Sequence, residues 1–223
     1  MIAAFLAVAG QTARLSLRGG GGALIGLVFF LAVVTVVPFA VGPDLNLLGR
    51  IGPAILWVGA LLAMLIGLDR LFGEDRDDGS LDLLVLSGLP LELTVLAKCA
   101  GAWLATGVPL VIAAPVLGLL LGMPPAGLAA TTLTLLAGTP ALTLTGAIGA
   151  ALMTAFGRGG LMVAVLVLPF TIPVLIFGVS AAYAAAVGPA PFLPAFLILI
   201  ALTLVSAVVA PIAGAAALRA GLE

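Results

Sequence analysis

The 223-residue sequence has no histidine, one cysteine, one lysine and one tyrosine, and only 8% of its residues are charged. Each shortage removes a class of chemistry. Without an imidazole there is no Ser-His-Asp or Cys-His engine. With a single cysteine and no histidine there is no disulfide framework, no Cys/His zinc cluster and no c-type haem attachment motif. Eight Lys+Arg against nine Asp+Glu, with a pI near 5.2, leave no electrostatic footprint for nucleic acid. Soluble domains carry about a quarter charged residues, so an ordinary water-soluble fold is excluded as well.

What the chain has instead is apolar length: 64% of it is hydrophobic, with a mean hydropathy of +1.41. A spanning helix takes roughly 20 residues to cross a hydrocarbon core about 30 Å thick. The length therefore holds six crossings and no large soluble domain.

The ionisable side chains are Arg14, Arg18, Asp44 and Arg50, a crowd from Asp69 to Lys98, then Arg158, Arg219 and Glu223. The gaps between them predict the spans. Gly19 to Pro43 is uncharged, and so is Ile51 to Leu68, where Pro53 suits a first helical turn. Cys99–Gly157 and Gly159–Leu218 are each about three times a single span and predict hairpins. Gly122-Met-Pro-Pro125 and Gly188-Pro-Ala-Pro191 break those runs near their middles. The expected fold is all-α: one polytopic transmembrane domain over 1–223 with crossings at about 20–41, 51–69, 99–121, 127–155, 161–187 and 194–218. With the N-terminus cytoplasmic, seven Lys/Arg lie inside and only Arg50 outside, which orients the chain with both termini cytoplasmic.

Residues 1–18 read as a helix lying in the interface. Gln11, Arg14 and Arg18 share a face while Ile2, Phe5, Leu6, Val8 and Leu15 cover much of the rest, so membrane lipid is one partner. The competing reading, a cleaved signal peptide, places positive residues before the apolar stretch, and here they follow it. Pro109, Pro115, Pro140, Pro169, Pro173 and Pro211 lie inside crossings, where they kink helices for packing or open a substrate path. Gly59-x-x-x-Ala63-x-x-x-Gly67 is a small-residue ridge that lets another helix approach closely.

Ten of the seventeen charges lie between Asp69 and Lys98, so 70–98 reads as a structured cytoplasmic segment. An acidic turn leads to Ser80, a good N-cap, with Asp82 in the first turn of a short helix over about 81–87 that Gly88 ends. Pro90 starts a second helix feeding the third crossing. Leu81, Leu84 and Val85 make an apolar stripe too short to be stable alone in water. The stripe lies on the membrane surface or enters a groove on a cytoplasmic partner. The acids Asp77, Asp78 and Asp82 would be repelled by anionic lipid, and a merely solvated face accounts for them but not for the leucines.

An acidic turn followed by Gly79-Ser-Leu-Asp-Leu-Leu84 and a Pro-started helix resembles the signature of ABC-2-type permeases, in which this stretch is the coupling helix. The whole chain is more closely similar to the haem exporter protein B family. The likeness runs through Val41-Gly-Pro-Asp44, Arg50-Ile-Gly-Pro53-Ala-Ile-Leu-Trp57, Leu68-Asp-Arg-Leu-Phe72, Asp78-Gly-Ser-Leu81 and Ala97-Lys98. It continues in Gly138-Thr-Pro140, Arg158-Gly-Gly160 and Leu168-Pro-Phe-Thr-Ile-Pro173. The resemblance implies a permease-like inner-membrane component of the bacterial cytochrome c maturation (System I) ABC complex. Its implied partners are an ATP-binding protein, a haem-handling membrane protein and a third, small membrane protein of the same complex, with a periplasmic haem chaperone reached indirectly. ATP would sit on the ATP-binding partner, and haem would be handled by the complex.

The residues themselves sharpen that implication. No phosphate-cradling loop precedes the only lysine, Lys98, so any ATPase is another chain and this one is a non-catalytic component. Conceivable haem ligands reduce to Cys99, Tyr183 and five methionines, all of which suit packing, so no cofactor or metal is expected to be bound directly. The expected ATPase-docking residues are Asp78, Gly79, Ser80, Leu81, Asp82, Leu84, Val85 and Leu86. Asp69, Arg70 and Glu74 would form the joint and Arg158 an auxiliary contact, although Asp69 and Arg70 also suit simple interfacial snorkelling. Three roles follow: a force transmitter linking ATP hydrolysis to haem delivery or release of the loaded chaperone, a conduit for haem or another small molecule, or a scaffold that moves nothing.

Overall fold

The computed structural model describes residues 1–18, 22–68, 70–80, 88–156, 161–188 and 190–221. These form α1 (Ile2–Leu17), α2 (Gly22–Val41), α3 (Leu45–Leu68), α4 (Arg70–Asp77), α5 (Leu91–Ala105), α6 (Gly107–Leu120), α7 (Pro125–Phe156), α8 (Leu161–Val187) and α9 (Phe192–Ala220). No strand occurs among the described residues. Among the described residues, six stretches are long and apolar enough to cross a membrane: Gly22–Val41, Leu45–Asp77, Leu91–Leu120, Pro125–Ala155, Val167–Val187 and Phe192–Ala220. The chain is an all-α polytopic membrane protein.

Helix ends follow local chemistry more closely than charge gaps. The second crossing starts at Leu45, not at 51, because the Asp44 side chain caps it, accepting hydrogen bonds from the N–H groups of Asn46 and Leu47 at 3.0 Å each. Arg50 and Pro53 therefore lie inside the helix. The third crossing starts at Leu91 and not at 99, directly after Pro90 as that proline's position predicts, so that Lys98 and Cys99 are two turns inside it and buried. That crossing is interrupted at Thr106, between α5 and α6. Pro109 has no N–H for the Ala105 carbonyl and its ring crowds that oxygen, so the ladder lapses one turn earlier. Helices α6, α7, α8 and α9 run on through Pro115, Pro140, Pro169 and Pro173, and Pro211. At the end of α6, Gly122 takes a left-handed φ of +68°. Its N–H bonds to Leu119 O and that of Met123 to Gly118 O, the paired closure that lets Pro124 and Pro125 follow without stranding carbonyls.

Helix α7 is the centre, touching α3, α4, α5, α6, α8 and α9. Its threonines are buried at 131, 134, 139, 143 and 154, and several return their hydroxyl proton to the preceding turn, as Thr143 does to Thr139 O at 3.2 Å and Thr154 to Ala150 O at 2.9 Å. Others receive tryptophan N–H groups: Trp57 Nε1 donates to Thr134 Oγ1 at 3.1 Å and Trp103 Nε1 to Thr139 Oγ1 at 2.9 Å. Both indoles thereby satisfy their one donor without water.

The ridge Gly59-Ala63-Gly67 of α3 packs antiparallel to α2. A Cβ on Gly22 would fall 2.5 Å from Gly67 Cα, and one on Gly26 would fall 2.6 Å from the Ala63 carbonyl. Phe30 and Val34 close over Gly59. The two backbones are thus in contact, as small-residue spacing permits.

Candidate coupling site at the charged end of the bundle

Close contacts define two ends. At one, Gly49 of α3 meets Gly122, and Gly127 of α7 meets Ala186 of α8; Asp44 and Arg50 belong to this end. At the other, Gly22 meets Gly67 and Gly221 meets Ala155, and here lie Arg14, Arg18, Arg70, Glu74, Asp75, Arg76, Asp77, Asp78, Glu92, Lys98 and Arg219. Arg219 donates to Glu92 at 2.7 Å, tying the end of α9 to the start of α5 in an exposed pair.

Helix α4 is short and two-faced. Leu71, Phe72 and Asp75 are buried, one turn apart, while Arg70, Glu74, Arg76 and Asp77 face outward. Leu71 and Phe72 join Leu68, Leu91, Val95, Cys99, Leu144 and Ala147 in one apolar cluster, with α4 seated against α7 and the cluster extending to the α5 side chains. A buried carboxylate on this face needs a cation, and Lys98 supplies it. Lys98 Nζ donates to Asp75 Oδ2 and, at 3.1 Å, to the Leu71 carbonyl, and stands 5.7 Å from the Phe72 ring centroid. The ammonium thus grips α4 at two points separated by one turn. Side-chain exposure of only 8% for Lys98 and 12% for Asp75 puts the pair in a medium where separation is costly.

The turn after α4 is tied back to the pair. Gly79 takes a left-handed φ of +74°, and the Ser80 N–H donates to Asp78 Oδ1 at 2.9 Å. Ser80, through its hydroxyl and its backbone N–H, holds the Asp78 carboxyl below the ordinary carboxylate range. The same hydroxyl lies 3.3 Å from Asp75 Oδ1. Ser80 therefore turns its side chain back onto α4.

Helix α1 lies across this arrangement. Its Ala9 and Thr12 are buried against α5 at Gly101, where the backbones touch and a side chain would collide with the Ala9 carbonyl. A cavity of about 230 Å³ separates Gln11, Thr12 and Leu15 from Asp75, Ser80 and Lys98. Outward, α1 shows Ile2, Leu6 and Leu17 on one flank and Gln11, Arg14 and Arg18 on the next.

Of the site residues expected from sequence, Arg70, Glu74, Asp78, Gly79 and Ser80 are gathered at this end, with Arg70 and Glu74 beside Asp75 and Lys98 around a common pocket. Leu81, Asp82, Leu84, Val85, Leu86, Asp69 and Arg158 lie outside the described residues. Sequence reasoning missed Asp75 as a site residue, and took Lys98 as a lysine with no phosphate loop before it and as part of the Ala97-Lys98 likeness, without a site role. The available signal was that the chain's single lysine falls in an apolar helix and so requires a partner. Cys99 is buried in the apolar cluster, and no group of three metal-ligating His, Cys, Asp or Glu side chains occurs among the described residues.

Known proteins resemble the chain over nearly its full length. The chain is 62% identical over 210 residues to Heme exporter protein B of Bradyrhizobium diazoefficiens, covering 94% of this chain and 95% of that protein. It is 51% identical over 210 residues to the protein of the same name from Paracoccus denitrificans, covering 94% and 96%. With the Haemophilus influenzae protein it shares 42% over 219 residues, covering 98% and 99%. The family model described as CcmB protein matches residues 3–221, so the chain belongs to the CcmB protein family.

Proposed function

We propose that this chain is the transmembrane component of a haem-exporter ABC complex in cytochrome c biogenesis. A separate ATPase chain docks on the coupling segment 78–86, and its hydrolysis cycle is conveyed through the crossings to haem delivery or to release of the haem-loaded chaperone. The reading draws on the name Heme exporter protein B carried by full-length relatives, and on the absence of a nucleotide-cradling sequence in this chain. The single observation that supports coupling is that the turn leading into the segment is bonded, through Ser80 and Asp75, to a lysine inside the third crossing. The protein sits in the bacterial inner membrane with both termini cytoplasmic, since seven of eight Lys/Arg then face inward. Its partners are the ATP-binding protein, the haem-handling membrane protein and the small membrane protein of the complex; ATP stays on the ATP-binding partner and no cofactor is held directly here.

The test is the double substitution Leu84→Asp/Val85→Asp. It is expected to abolish co-purification of the ATPase while the protein still inserts, and undiminished ATPase binding would sink the docking assignment.

A further inference from the structure

We propose that Lys98 and Asp75 are positioning residues that join α4 and α5 into one rigid lever, pivoting at Thr106. The proposal rests on the coupling reading above and goes beyond it by naming the pair that carries the motion and the point about which it turns.

Three observations converge. First, Lys98 holds α4 through both the Leu71 carbonyl and the Asp75 carboxylate, four residues apart on one helix face. With two grips a turn apart, α4 can neither roll about its axis nor slide along α5 without breaking one of them. The apolar contacts of Leu71 and Phe72 are non-directional and would allow either movement. Second, Ser80 is bonded to the same carboxylate, so displacement of the segment that follows it reaches Lys98 through polar contacts alone. Third, the helix carrying Lys98 is not continuous. It ends at Ala105, and α6 begins at Gly107, leaving a lapse in the ladder where a few backbone dihedrals can absorb a tilt. Helix α1 moves with the lever, because its backbone touches α5 at Gly101 with no side chain between them.

The experiment uses the complex with its ATPase in a Cys99→Ala background, with nitroxide probes attached in pairs and their separations read by double electron–electron resonance. One pair, Arg76→Cys with Leu93→Cys, lies within the lever. The other, Leu93→Cys with Leu133→Cys, runs from the end of the lever far from the pivot to α7; Arg76 and Leu133 are exposed and Leu93 is half-buried. On trapping with a non-hydrolysable ATP analogue, the 76–93 distance is expected to stay constant while the 93–133 distance shifts. In Lys98→Met the 93–133 shift should disappear and a 76–93 shift appear, with the ATPase still bound. The exchange Asp75→Lys/Lys98→Asp should recover part of the original behaviour. A nucleotide-driven change in 76–93 with Lys98 and Asp75 intact overturns the lever, and that test requires neither residue to be altered. An unchanged 93–133 shift in Lys98→Met overturns it equally. No change in either distance with both residues intact and the ATPase bound overturns the coupling reading itself, and the lever with it.

Discussion

Lys98 and Asp75 show how burial changes the worth of an ion pair. Removing one member of a buried pair strands the other charge, at a cost of about 3–5 kcal/mol, whereas an exposed pair contributes about 1 kcal/mol or less. The Glu92–Arg219 pair is of the exposed kind, with side-chain exposures of 34% and 56%. Lys98→Met is therefore expected to lower the unfolding midpoint of the detergent-purified protein far more than Arg219→Ala, and equal shifts would contradict the burial argument. Asp78 offers a pH test. Its folded-state value is depressed by Ser80 from an ordinary 3.8, so its contribution to stability is complete above that value and is lost as pH falls through the lower folded value. In Ser80→Ala the carboxyl should titrate closer to its ordinary value, observable by carbon NMR of aspartate-labelled protein; an unchanged titration would remove Ser80 as the cause.

Pairs of helices are held by the absence of side chains as much as by their presence. Trp57 of α3 occupies a slot between Gly138 of α7 and Gly178 of α8, where an added Cβ would lie 2.5 Å from Trp57 Cη2 or Cε2 respectively. Gly178→Val should expel the indole and cost about 1–3 kcal/mol by overpacking, with a red-shifted Trp57 emission in a Trp103→Phe background. Unaltered emission would show that the slot can widen at no cost. The α2–α3 ridge was legible in sequence as a spacing, Gly59-Ala63-Gly67, but its partner was not, because Gly22 and Gly26 look like any of 29 glycines until the backbones meet. The starts of the second and third crossings, placed at 51 and 99 by the charge gaps, lie upstream for a related reason, although Pro90 did mark the start of the helix that feeds the third crossing. A charged residue can lie well inside a helix when a cap fixes the start upstream, as Asp44 does for α3, or when a distant group neutralises the charge, as Asp75 does for Lys98 in α5.

Across the whole molecule, charge and packing divide the labour. The end bearing Asp44 and Arg50 carries few charges, whereas the opposite end collects α1, α4 and most of the charges, with Asp75 and Lys98 lining two adjoining cavities. Six crossings and the all-α class were readable from composition and hydropathy alone. In a bilayer every backbone group must be satisfied within its own helix, so each apolar run of sufficient length has a single solution. The same reasoning located the polar segment worth attention, because charges are expelled from apolar runs. It could not show that α7 is the hub, that α1 lies on α5, or that the one lysine meets Asp75 across 23 residues. Those facts depend on contacts between segments distant in sequence, and in membrane helices such contacts are made by glycine, alanine and threonine, which are too small and too common to name their partners in advance.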